Sequence, residues 1–150
     1  MSIPYKPLDL SLNIRLGETY DTKTDPHRLS SAVEVYELTK DYAKADREVM
    51  LIVMVDCKND LIHLETHTIG AIDSAQVYPR EIFRSLLLKN ATAFMLVHNH
   101  PSGDPEPSLA DMELTRELNE GAKLIGIKML DHVVLGKERY YSFSDQGGIS

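Results

Sequence analysis

His98 and His100 stand two residues apart, and a stretch rich in proline and glycine separates them from Ser108 and Asp111. On an extended segment, side chains at i and i+2 point to the same side, so the two imidazoles converge where such a segment ends. Pro101, Gly103, Pro105 and Pro107 then turn the chain back, which brings the start of a following helix toward the histidines. Asp111, three residues past a capping serine, supplies a carboxylate there. Two imidazoles and one carboxylate suit zinc and leave a coordination position open for water, as hydrolytic chemistry needs. The letters also admit a plainer account. Ser108-x-x-Asp111 has the spacing of a helix capping box with Asp in place of Glu, and that alone explains both residues. Paired histidines at strand spacing, beside a rigid turn and a carboxylate, favour the metal.

A hydrolytic centre also needs a base. Glu48, Glu65 and Glu81 are the candidates. Glu81 falls in the first turn of an expected helix, where the helix dipole accounts for it. Glu65 falls in mid-strand and can face solvent. Glu48 stands at the mouth of the most apolar strand, an unusual place for a solvated charge, although an ion pair with Arg47 or a nearby lysine would explain it too. Among the other histidines, His63 and His67 are separated by about 13 Å along a strand, too far to share one ion, and read as strand-surface residues. His27 reads as a solvated residue of an N-terminal arm. His132 is expected to make a core hydrogen bond in preference to supporting a metal ligand. Asp104 and Glu106 read as solvated turn residues. Asn99 is expected to point away from the histidines and to hold the loop by its amide.

These residues need a scaffold. Residues 1–28 read as an irregular arm, in which the alternation over 8–14 allows a short edge strand. A helix is expected over 29–44, capped by Ser30 or Ser31, with Val33, Tyr36 and Lys40 on one stripe. The apolar run 49–55 reads as a strand covered on both faces. A turn at 58–60 joins it to a second strand over 61–69. Pro79 opens a helix to about residue 89 that turns Ile82, Phe83, Leu86 and Leu87 inward. Residues 93–97 form a third buried strand that delivers His98. Ser108 caps a helix to about residue 120, ended by Gly121. One or two strands follow over 125–135, then a turn at 136–139, a last strand over 140–144 and a Gly-rich, frayed tail. Hairpins mixed with αβ units point to an α/β sandwich around a mixed sheet.

With 150 residues, 43% hydrophobic and 26% charged, the chain has the composition of one soluble domain, 29–150, behind its arm. The formal net charge of -7 argues against broad nucleic-acid binding, which needs an excess of Lys and Arg. Cys57 is the single cysteine, so no internal disulfide forms. It is expected half-buried, in a chain suited to a reducing cytoplasm. The first residues lack a signal-peptide pattern, and no run approaches the ~18 apolar residues of a membrane span.

The pattern His98-x-His100-x7-Ser108-x2-Asp111 resembles the JAMM (MPN+) motif of zinc metalloproteases and isopeptidases. The closer resemblance is to RadC-like JAB domains. It rests on Tyr78-Pro79-Arg80-Glu81-Ile82-Phe83, on His98-Asn99-His100-Pro101-Ser102-Gly103-Asp104-Pro105, and on Leu130-Asp131-His132-Val133-Val134-Leu135-Gly136. The resemblance covers about residues 30–149. It implies a cytidine-deaminase-like three-layer α/β/α sandwich, with zinc held by His98, His100 and Asp111. It implies that Ser108 helps to stabilise a tetrahedral oxyanion. It also implies an upstream glutamate beside the first core strand, the place taken here by Glu48. In the implied mechanism zinc polarises a carbonyl, zinc-bound water attacks, and Glu48 carries the proton to the leaving amine. Full-length RadC-like proteins usually carry an N-terminal helix-hairpin-helix region, which residues 1–28 do not resemble.

Three functions follow as expectations. The leading one is a zinc peptidase or isopeptidase acting on a protein or peptide. A metal-dependent nuclease is the second. The letters His-Asn-His do not support it, because HNH nucleases spread those residues along a ββα unit. A non-catalytic binding module that retains its metal is the third. The oligomeric state is open.

Overall fold

The apolar run that begins at Val49 forms a strand with all seven residues buried, an interior strand of the sheet. The computed structural model describes residues 28–70 and 77–150. The expected arm, apart from Arg28, and its alternating segment 8–14 lie outside the described residues, as does His27.

Nine elements follow in order: α1 (Ala32–Thr39), a 3-10 turn (Lys40–Lys44), β1 (Val49–Val55), β2 (Leu61–Ile69), α2 (Pro79–Leu88), β3 (Ala93–Asn99), α3 (Leu109–Ile125), β4 (Lys128–Leu135) and β5 (Tyr140–Ser142), counted among the described residues. The strands lie in the order β2-β1-β3-β4-β5. β3 and β4 run parallel and every other pair is antiparallel, so the sheet is mixed. α3 is the crossover that a parallel pair requires.

Alternation along the strands feeds two cores. Leu51, Val53 and Val97 meet Val35 and Tyr42 on one face, while Met50, Ile52 and Leu96 meet Ile82, Leu86, Leu114 and Leu118 on the other. Helices therefore cover both faces, which gives the expected three-layer α/β/α sandwich around a mixed sheet. No helix among the described residues is long and apolar enough to cross a membrane.

Some local expectations are met or narrowed and others are corrected. Ser31 is the cap of α1, in a reciprocal box with Glu34. The buried stripe is Ala32, Val35 and Thr39, and Val33 is 55% exposed. In α2 only Ile82 and Leu86 are fully buried, and Leu87 points to solvent, because a ten-residue helix on a sheet buries one narrow stripe. Cys57 is exposed, since β1 ends at Val55 and the turn begins before it. α3 does not stop at Gly121. A Cβ there would lie 2.8 Å from the Phe83 ring, so this glycine lets α2 and α3 approach closely. The helix ends at Gly126, whose φ of 75° supplies the left-handed stop. One strand, β4, occupies the region expected to hold one or two. The tail is not frayed: Gly148 donates its N–H to the Phe143 carbonyl at 2.7 Å, and Ile149 packs on the second core.

The loop 101–107 is held from outside as well as by its own prolines. A Cβ on Gly136 would lie 2.6 Å from the Gly103 carbonyl oxygen and 2.6 Å from Pro105 Cδ. Only a residue without a side chain lets the β4–β5 turn press against this loop. Lys137 adds an N–H bond to the Gly103 carbonyl at 2.8 Å.

Candidate metal centre

β3 ends in mid-sheet, between β1 and β4, with Met50 and Val134 opposite His98. His98 is consequently wholly buried, and it faces the α2–α3 side with Phe94 and Leu96. His100 follows on the same side. The Nε2 atoms of His98 and His100 are 3.1 Å apart. α3 begins against them, at the carboxyl ends of the parallel strands β3 and β4. Asp111, in its first turn, sets Oδ1 3.3 Å from His98 Nε2 and Oδ2 3.3 Å from His100 Nε2. Glu48, just ahead of β1, sets Oε1 3.8 Å from His98 Nε2 and 3.9 Å from His100 Nε2.

The structure thus brings four of the sequence candidates together. Glu48, His98 and His100 form a group able to hold a metal ion, and Asp111 reaches the same two nitrogens from α3. The other glutamates have different partners. Glu65 accepts from the Ser85 hydroxyl at 2.9 Å, and Glu81 pairs with Arg80 and Arg84. His63 and His67 are half-buried on β2, and burial pushes both below the ordinary imidazole range.

The donor set fits a small cation. Bonds of about 2.0–2.1 Å to a tetrahedral zinc separate two donors by about 3.3 Å. The spacings among His98, His100 and Asp111 match that edge. Electrostatics agree. Burial pushes the Asp111 carboxyl up, but the adjoining His100 and His98 rings outweigh it and hold the group well below the usual carboxylate range. The hydrogen bond to Asp111 is also the main cause that raises His100 above the ordinary imidazole value, against the opposing effect of burial. Two ring nitrogens this close, with a carboxylate on each, need positive charge among them, as a proton or as a metal.

Ser108 forms the capping box that its spacing predicts. Its hydroxyl accepts the Asp111 N–H at 3.1 Å, and its own N–H donates to Asp111 Oδ2 at 2.8 Å. The cap and the candidate cation site therefore share one carboxylate, and the two readings of Ser108-x-x-Asp111 are compatible.

Three supports were not legible in the sequence. His100 Nδ1 donates to the Asp104 backbone carbonyl at 2.8 Å, which aims Nε2 at the centre. No side-chain identity could have signalled a main-chain acceptor. Asn99 does not hold the loop. Its Oδ1 accepts the Val49 N–H at 2.7 Å and its Nδ2 donates to the Arg47 carbonyl at 3.1 Å, so it clamps the backbone on both sides of Glu48. His132 is the third. It is a buried core residue, as expected, but its Nε2 lies 2.8 Å from His98 Nδ1, the less favoured reading. The parallel register of β3 and β4, with Leu96 opposite His132, creates this contact, and a linear reading cannot supply register.

Comparisons with known proteins agree with this geometry. A family model described as RadC-like JAB domain matches residues 29–148. A "UPF0758 protein" of Thermotoga maritima is 33% identical over 144 residues, 95% of this chain and 65% of the relative. One of Methanococcoides burtonii is 41% identical over 150 residues, 98% of this chain and 66% of the relative. One of Bacillus licheniformis is 43% identical over 101 residues, 67% of this chain and 45% of the relative. The chain thus spans between about half and two-thirds of the length of these curated relatives. With a matched family model over most of its length and relatives up to 43% identical, this chain belongs to the RadC-like JAB domain family.

Proposed function

We propose that this domain is a zinc-dependent hydrolase of the JAMM type that cuts an amide bond in a protein or peptide. The observation that carries the proposal is the convergence of two imidazole nitrogens 3.1 Å apart with one carboxylate 3.3 Å from each and a second, slightly more distant, at 3.8 and 3.9 Å. His98, His100 and Asp111 are the ligands in this reading. Glu48, set back and on a different element, is the base. When bound, zinc supplies Lewis acidity, which polarises the scissile carbonyl and makes a water acidic at neutral pH.

The chain's own groups do the rest. A Glu48 carboxylate oxygen takes the proton from the attacking water and passes it to the leaving nitrogen. A C–O bond forms, the C–N bond breaks and Glu48 is regenerated as a carboxylate. Ser108 uses its hydroxyl oxygen as an acceptor within the cap, which leaves its O–H to donate to the developing oxyanion. The negative net charge weighs against a nucleic-acid substrate. Cys57, exposed and outside any disulfide, suits a reducing compartment such as the cytoplasm.

Elemental analysis after purification without chelators tests the reading. The expected content is close to one zinc per chain. A content below half an equivalent, unchanged by added zinc, overturns it. DNA cleavage with no new amino termini from peptide or isopeptide substrates would replace it with the nuclease.

Asn99 provides a second check. Asn99→Ala leaves the Val49 N–H and Arg47 carbonyl without their partner, at a cost of about 1–3 kcal/mol. The melting temperature should fall by several degrees. Hydrolysis should fall further than zinc affinity, because the clamp positions Glu48 and touches no ligand through its side chain. Equal losses of activity and metal would contradict this division.

A further inference from the structure

We infer that Thr115 and His132 form a buried relay that fixes His98 in the tautomer able to bind a cation. This rests on the metal-site reading above and adds Thr115, and a fixed proton order, to the His98–His132 contact. Thr115 Oγ1 lies 2.6 Å from the Asp111 backbone carbonyl and 2.6 Å from His132 Nδ1. A carbonyl only accepts, so the single hydroxyl proton goes to Asp111. The Thr115 oxygen must then accept from His132, whose Nδ1 carries hydrogen.

The ring of His132 is wholly buried and stacked on Phe143, with centroids 4.9 Å apart and planes 10° apart. The ring is cut off from water and neither ring nitrogen has a carboxylate partner, so it is held neutral with one N–H. Its Nε2 is therefore an acceptor. His98 Nδ1, 2.8 Å away, must donate to it. That leaves His98 Nε2 with a lone pair, directed at His100 and Asp111. The reverse polarity would take the hydroxyl proton from the Asp111 carbonyl. It would also place an N–H where the cation must sit. The relay begins at the Asp111 carbonyl and ends at the His98 ring, so the backbone of one ligand orders the tautomer of another.

The test combines zinc affinity, measured by competition with a chromophoric chelator, with side-chain ¹⁵N NMR of the histidines. In the zinc-loaded wild type, His98 and His132 should both carry their proton on Nδ1. His132→Phe keeps a buried ring without an acceptor and should weaken zinc binding by about 10- to 100-fold. Thr115→Val should weaken it less, and Thr115→Ser, which restores the hydroxyl, should recover it. A purely structural role would lower the melting temperature without moving the ¹⁵N pattern. If His132→Phe does not fold, the threonine pair and the wild-type spectrum decide. A proton on His132 Nε2 in the loaded protein, or wild-type affinity in His132→Phe, overturns the relay and leaves the metal site standing. A wild type that takes up no zinc overturns both.

Discussion

Glu48→Gln is expected to reduce amide hydrolysis by about a hundredfold to ten-thousandfold in kcat, the range for loss of a positioned general base. Zinc content and melting temperature should stay close to wild type. The change keeps the size of a side chain that is only 16% exposed and removes its ability to take a proton. It is also the variant that separates two readings of the geometry. Glu48, His98 and His100 could themselves hold a cation. If Glu48 is a ligand, the amide will bind zinc poorly and metal will be lost together with turnover. Retained zinc with lost turnover assigns Glu48 to proton transfer. Retained zinc with unchanged turnover removes it from the mechanism.

Asp111→Asn is expected to weaken zinc binding by about a hundredfold or more. Structural zinc sites with four ligands bind with roughly 10–16 kcal/mol, or about 3 kcal/mol per ligand. Asparagine is preferred to alanine because its carbonyl oxygen can still accept from the Ser108 N–H, so the start of α3 stays capped. Chelator competition reads the loss, and wild-type affinity would remove Asp111 from the ligand set. The pH dependence has a defined sign. In the metal-free protein Asp111 holds a proton on His100 to a higher pH than an ordinary imidazole. Zinc must displace that proton, so affinity should rise with pH through the imidazole range and fall below it.

The elements that carry the proposed ligands were legible because each rule acts locally. Seven apolar residues in β1 require burial on both faces. The i, i+2 spacing of His98 and His100 survives any register. Ser108 and Asp111 mark a helix start whatever that helix packs on. What was missed depends on neighbours distant in sequence. Gly121 carries the letter of a helix stop, but the Phe83 ring across the α2–α3 contact explains it. Leu87 follows the apolar period of α2 but lies beyond the sheet's cover. His132 and Asn99 act through strand register and strand ends. The preference for Glu48 over Glu65 and Glu81 came mainly from family resemblance. Position separates the three: Glu48 lies 3.8 and 3.9 Å from the two imidazoles, whereas Glu65 lies against Ser85 and Glu81 against Arg80 and Arg84.

The proposed ligands and the proposed base come from different parts of the chain. His98, His100 and Asp111 belong to one continuous strand–loop–helix passage, whereas Glu48 arrives from the segment just ahead of β1 and is steadied there by Asn99. On the proposed function, capture of the ion and consumption of a substrate can therefore part company in evolution. A single change ahead of β1 could retire a descendant of this domain as a catalyst and leave an intact, ion-holding adaptor.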